Sequence, residues 1–477
     1  MKPISKERFE AFIAYTRQPP AAGEYSRELE WYASDNEVLL ATIIIDFEDE
    51  FSAVILGRDV DSKFRCINFP MVFQKIEEAR EYMLCESRKI LLDDKYIFPL
   101  GDERHKKLDL FSSICDPKNL NQHFEAVRTL KEYSSAREII AELMANFKDI
   151  DGNFVEQFQS TGFDSRIWEL YLFAYLSEER LYINREYEAP DFLVTDGRQK
   201  VAIEAITVNS SEGDKDIENL MPEKIVELLK NDMPLKFGSA LFSKMNRKNK
   251  KGKPIEKYWE LEHVKDCPLV FAIADFSSEG SMCWSSNAII DYLYGTKRNW
   301  QVSDDGQLII DSTEIDFIKH NGTKVPGFFS SENAENISAV LFSPSGTISK
   351  FVRMGKSAGF GDSSVCVKYG GVCHNHEGLL HPNKFFFEVD SNYKELWGAG
   401  ISIFHNPNAL HPLPQELFPS VAHFFPMEDG VIGCLPPAFH PYTGLTFMHP
   451  ATENVTEEYF ELLITRFSTI TGKTIKL

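Results

Sequence analysis

Long hydrophobic runs are missing from this chain. The longest, VLLATIIIDF at 38–47, covers about half of the roughly 20 residues that a membrane-spanning helix needs, which excludes a helical span there. The first residues, MKPISKERFEAFIAYTRQPP, carry charges and aromatics in place of the leucine- and alanine-rich run of a secretory leader, so a cytoplasmic protein is expected. Cysteine is sparse and scattered: eight residues, at 66, 85, 115, 267, 283, 366, 373 and 434, do not form the dense pattern of a disulfide scaffold, and free thiols in a reducing compartment follow. Positive charge is also in deficit, 51 Lys and Arg against 72 Asp and Glu for a net charge of −21. That balance excludes a protein that coats nucleic acid indiscriminately.

A local basic site survives the deficit. Lys244, Arg247, Lys248, Lys250, Lys251, Lys253 and Lys257 crowd into one segment that only Glu256 interrupts. With 477 residues the chain exceeds one ordinary core, and its texture divides it into four parts. Residues 1–100 read as an α+β module, with strands on either side of the acidic turn FEDE within 37–59 and a helix at 76–91. Residues 101–150 read as a helical connector whose clearest amphipathic stretch is 130–147. From 151 to 300 the order is a helix near 165–179, the pair DFLVT (191–195) and KVAIEAITV (200–208), a helix at 218–230, the basic segment and the buried-type run PLVFAIADF (268–276). That order predicts an α/β core. Residues 301–477 are rich in Gly, Pro, His and Phe and read as an irregular, strand- and loop-rich elaboration.

Three carboxylates stand where burial makes them costly. Glu169 interrupts IWELYLFAYL, and its helical neighbours Leu172, Phe173 and Leu176 are apolar. Glu204 lies inside an apolar strand, and Asp191 opens the partner strand after Pro190. In an antiparallel pair the facing position numbers sum to a constant. A four-residue loop, Asp196 to Gln199, therefore sets Asp191 opposite Glu204, whereas a two-residue loop sets it opposite Ala202. Either even loop keeps both acids on one face, within about 5–8 Å. Two such acids repel unless a cation or a proton sits between them, and a hard divalent ion, Mg²⁺ or Mn²⁺, is the natural occupant.

A helix Glu, then Pro190-Asp191, then Glu204 in an apolar strand resembles the PD-(D/E)XK, or restriction-endonuclease-like, phosphodiesterase superfamily over about 165–276, roughly a quarter of the chain. The resemblance implies a mixed four-stranded sheet flanked by helices, with Asp191 and Glu204 as metal-binding acids and Glu169 as a supporting helix acid. It implies a metal-dependent nuclease, with a role in bacterial defence or genome maintenance and DNA a more natural partner than RNA. The superfamily lysine belongs two residues after the second acid, where this chain has Ile206. Lys244 is the leading substitute catalytic cation and Lys236 the second. Lys236, Arg247, Lys248, Lys250, Lys251 and Lys253 form the expected nucleic-acid-binding set. The wider texture, including KFGSALFSK, TISKFVRMG and HNPNALHPL, is similar to a family of bacterial proteins whose label implies no activity.

Two rival readings accompany this one. The first is a nuclease-fold binding or scaffold protein that lost turnover with the lysine; the second is a hydrolase with its site in the His-rich C-terminal region. There, Cys366, Cys373, His374, His376 and His381 lack the paired spacing of a tetrahedral zinc site. HNPNALHPL (405–413) reads either as a rigid structural loop or as a site lining. TISKFVRMG (347–355) is expected to be a strand with Lys350 and Arg353 near its end.

Overall fold

The protein is described here from a computed structural model. It describes residues 1–460 apart from 18–24, 71, 94, 104–107, 211–221, 250, 279, 284, 303–307, 319–323, 378–381, 429 and 454. Lys250 and His381, both singled out above, lie outside the described residues, as does the start of the 218–230 helix.

The N-terminal module is a five-stranded antiparallel sheet of β1 (Lys2–Pro3), β2 (Ser26–Ala33), β3 (Leu39–Asp46), β4 (Phe51–Arg58) and β5 (Phe64–Asn68), in that spatial order. Strands β3 and β4 flank the acidic turn as expected. Their alternating Ala41, Ile43, Ala53 and Ile55 pack against Ala79 and Met83 of the helix Ile76–Leu92, since side chains on one sheet face recur every second residue. Arg58 donates to both carboxylate oxygens of Glu142 at 3.0 Å, tying the module to the connector. The connector's main helix is shorter than its amphipathic pattern: a 3₁₀ turn at Lys131–Tyr133 precedes the helix Ser134–Met144.

The rest is built on one mixed eight-stranded sheet flanked by helices. Strands β6 (Tyr182–Asn184), β7 (Phe192–Thr195), β8 (Lys200–Asn209) and β9 (Leu269–Phe276) come from the 151–300 segment. Between β9 and the next sheet strand lie two small hairpins, β10 (Thr296–Val302) with β11 (Leu308–Glu314) and β12 (Phe317–Ile318) with β13 (Lys324–Val325). The 301–477 segment then adds β14 (Ala339–Phe342) to the large sheet, followed by β15 (Val365–Cys373) and β16 (Asn383–Glu388), which lie outside it. Next come β17 (Ser402–His405), β18 (Ala422–Pro426) and β19 (Ile432–Leu435), which complete the order β19-β18-β17-β14-β9-β8-β7-β6. The sheet is therefore eight-stranded, not four-stranded, and the division at residue 300 passes through it. Composition hides this, because β14 and β17 are four-residue strands between loops. Strands β8, β9 and β14 run parallel, and β6, β7 and β8 form an antiparallel meander. Finally, β20 (Pro441–Pro450) pairs with β15 in a separate three-stranded sheet ordered β16-β15-β20.

Two helices fix the layers around the site. The Glu169 helix, Phe163–Glu178, is buried along almost its whole length and packs on Val201 and Ile203 of β8 within one core. The Lys244 helix, Pro222–Met245, covers the other face, where Ala202, Ile206 and Val208 meet Met233, Phe237, Leu241 and Met245. Alternation along β8 thus sends odd and even positions to opposite layers.

TISKFVRMG is not a strand. Residues Ile348–Ser357 form a helix in which Phe351 and Val352 are buried together with Lys350 and Arg353. Both cations converge on Glu395: Lys350 Nζ lies 2.6 Å from Oε1, and Arg353 Nε 2.8 Å from Oε2. Charges that pair inside the core depart from the usual exposure of Lys and Arg, so the helix carries its cations on its buried side. Among the described residues no helix is long and apolar enough to cross a membrane.

Candidate functional site

The β7–β8 hairpin has the four-residue loop. Phe192 faces Ile203, Leu193 faces Ala202, Val194 faces Val201 and Thr195 faces Lys200, and continuing that register sets Asp191 opposite Glu204. Asp196 closes the loop by accepting the N–H groups of Arg198 and Gln199, each at 2.8 Å, and Gly197 takes a positive φ of 96°. The two acids then lock one another to the backbone. Glu204 Oε2 accepts the Asp191 N–H at 3.3 Å, and Asp191 Oδ2 accepts the Ala205 N–H at 2.8 Å. Strand β7 begins at Phe192 while β8 runs on to Asn209, so the pair sits where the meander gives out and the sheet opens beside β8.

Burial and then the neighbouring Glu204 carboxylate raise the proton affinity of Asp191 above the ordinary carboxylate range; Lys244 and the Ala205 N–H oppose the rise. Glu169 comes from the opposite layer. Burial first, and Asp191 second, push its carboxyl up to about 7. Its direct partners are arginines: Arg166 Nη1 donates to Oε1 at 2.5 Å, and Arg185 Nη2 lies 3.5 Å from Oε2. Glu169 is thus held by two guanidinium groups, one of them three residues before it on its own helix. Arg185 was not legible in the sequence; it precedes β7 with nothing around it to mark it. Its guanidinium stacks on Phe147 at 4.1 Å and Phe192 at 4.8 Å, and burial pulls its pKa below the usual arginine value.

Lys244, and not Ile206, brings a cation to the acid pair. Ile206 shares the Glu204 face of β8 but is buried in the apolar layer beneath the Lys244 helix, while Lys244, in the last turn of that helix, brings Nζ to 2.5 Å from Glu204 Oε1. Desolvation works against this ammonium, yet Glu204 and then Asp191 outweigh it and leave its pKa above the usual lysine value. The Lys244 side chain is 37% exposed against 6% for Glu204, so the acid pair is approached from solvent along the lysine. Tyr258 is a second residue without a sequence signal. It is buried, and burial followed by the Glu204 carboxylate raises its pKa, while Arg247 lies over its ring at 4.3 Å.

The other basic residues lie apart from the acids. Arg247 and Lys248 leave the helix into a hairpin in which Asn249 Oδ1 accepts the N–H groups of Lys251 and Lys253 at 3.0 Å. Lys248, Lys251 and Lys253 are exposed. Lys236, two turns before Lys244, is near a different carboxylate: burial raises the proton affinity of Asp275, and Ser277, Ser285 and, last, Lys236 oppose the rise. Lys200 reaches the His263 carbonyl at 2.9 Å and takes no part in the acid cluster.

In the C-terminal third, HNPNALHPL forms a structural loop. Asn406 donates to the Ala334 and Ile337 carbonyls at 2.8 Å, and His405 and His423 bond at 2.9 Å inside the core. His374 bonds Tyr442 at 2.6 Å. Among the described residues no group of three or more His, Cys, Asp or Glu side chains is arranged to hold a metal ion. Comparisons with protein-family models, with curated proteins and with solved structures find no match to this chain.

Proposed function

We propose that this chain is a metal-dependent phosphodiesterase of the PD-(D/E)XK type that cleaves nucleic acid. The observation that carries the reading is the convergence of Asp191, Glu204 and Lys244: two facing strand carboxylates with an ammonium group 2.5 Å from one of them. The order of a helix, an antiparallel meander, a second helix and a parallel strand over 163–276 supports it. The residues fit a hard divalent ion, because both donors are carboxylates set opposite one another on paired strands. Asp191 and Glu204 would hold Mg²⁺ or Mn²⁺, which supplies a water of lowered pKa and offsets charge on the phosphate oxygens. Lys244 stands at the solvent side of the pair, where an ammonium group stabilises the negative charge that develops on the phosphorane. Glu169, braced by Arg166 and Arg185, would support the metal site from the neighbouring helix. The exposed cations of the basic hairpin engage the phosphate backbone.

The test is cleavage of single- and double-stranded DNA and RNA with Mg²⁺ or Mn²⁺. Glu204→Gln or Asp191→Asn should slow cleavage at least about a hundredfold, the scale on which even residues that only orient metal ligands act, in a protein that stays folded. Binding without cleavage by the wild type under either metal would favour a second reading, a nuclease-fold scaffold. The Lys244–Glu204 ion pair supports that alternative, since it already satisfies one of the two acids.

A further inference from the structure

A cavity of about 350 Å³ opens at the end of the Lys244 helix. Its walls are Phe242 from the helix and Asn246 just after it, Lys257 and Trp259 from the segment after the basic hairpin, and Ser331, Glu332 and Asn333 from the turn before β14. It adjoins the acid site through the chain itself. Asn246 lies two residues after Lys244 and Trp259 one residue after Tyr258, and both Lys244 and Tyr258 act on Glu204.

The chemistry of this wall is specific. Trp259 and Phe242 are half-buried, and Phe242 is braced edge-on by Phe328 at 5.7 Å, so aromatic surface lines a concave space. Asn246 and Asn333 carry amides that both donate and accept, and Ser331 adds a hydroxyl. Lys257, whose Nζ donates to Asn246 Oδ1 at 3.0 Å, places an ammonium group at the same rim. A planar ring with hydrogen-bonding edges matches that set, and the volume falls in the range of small-ligand sites. A paired base inside a duplex presents only its edges, whereas an unpaired base can enter a cavity and stack.

We propose, resting on the nuclease reading above, that this cavity receives an unpaired nucleobase next to the phosphate at Asp191 and Glu204, so that the protein prefers single-stranded nucleic acid or strand ends. The exposed lysines of the hairpin act on both forms, and the cavity discriminates between them.

The test measures binding of one labelled oligonucleotide, single-stranded and as its duplex, in EDTA so that cleavage does not intervene. Trp259→Ala should weaken single-strand binding about tenfold or more, the scale of losing one base–aromatic stack, and leave duplex binding unchanged. Trp259→Phe should retain most of the single-strand affinity. Asn246→Asp, at an exposed position, should reproduce the selective loss without touching the core. Lys251→Ala should weaken both forms together. Equal loss on both forms, or no loss in Trp259→Ala and Asn246→Asp, would overturn the cavity assignment. A wild type that cleaves duplex but shows no single-strand preference overturns this inference alone; one that neither binds nor cleaves any nucleic acid overturns the nuclease reading as well.

Discussion

Lys244 separates positioning from electrostatic attraction at the scale of single residues. Its ammonium group sits on Glu204, whereas Lys251 is exposed on the hairpin. A cation aimed at transition-state charge adds little to ground-state affinity. Lys244→Ala is therefore expected to slow cleavage about a hundredfold with little change in binding, and Lys251→Ala to weaken binding and flatten its salt dependence with little change in rate. Single-turnover cleavage and salt-titrated binding read the two separately; identical effects on binding from both would assign Lys244 to the basic patch. His405 gives a pH signature elsewhere in the molecule. Burial, and then the neighbouring His423, hold it down to about 4, below its ordinary value of 6.5. Its folded-state pKa is depressed, so its stabilising contribution is complete above about pH 6.5 and is lost as pH falls toward about 4. Urea denaturation from pH 7 to pH 4 should show stability falling, and His405→Gln should make that fall shallower.

At the scale of elements, the hairpin and its acids were legible because period-two alternation and loop length together determine register. Asp191, Glu204 and the four-residue loop are local in sequence. Residues that complete the site from a distance were not: Arg185 and Tyr258 reach the acids through packing, and neither has a distinguishing neighbourhood. The helix Ile348–Ser357 was misread for a related reason. Its apolar residues Ile348, Phe351 and Val352 follow helical spacing, but Lys350 and Arg353 on the buried side obscured the pattern, and their partner Glu395 lies some forty residues away. Glu395 accepts from Lys350, from Arg353 and from the Tyr393 hydroxyl, the last at 2.8 Å, and the two cations hold its pKa down to about 2 despite burial. Glu395→Gln leaves two buried cations undercompensated and should cost about 3–5 kcal/mol, measurable as a lower urea midpoint. A midpoint unchanged from wild type would mean that the cluster contributes no net stability.

For the whole molecule, the central sheet joins segments that composition sets apart. The strands that carry the acids, β7 and β8, lie at one side of an eight-stranded sheet whose other half is drawn from the 301–477 segment. The mixed sheet and its flanking helices are expected for the core; short strands at 337–343 and 401–404 are legible too, but their joining to this sheet is not, because it depends on pairing across long sequence separations. One consequence is that β9, parallel to β8 on one side and to β14 on the other, sets the acid strand into a rigid centre, which favours a preorganised site. The decisive measurement is anomalous diffraction from crystals soaked in Mn²⁺. A single strong peak between the carboxylates of Asp191 and Glu204, at about 2.0–2.2 Å from an oxygen of each, is the expected result. Ordered carboxylates with no peak between them at saturating Mn²⁺, and Lys244 still bonded to Glu204, would contradict the metal-dependent nuclease reading.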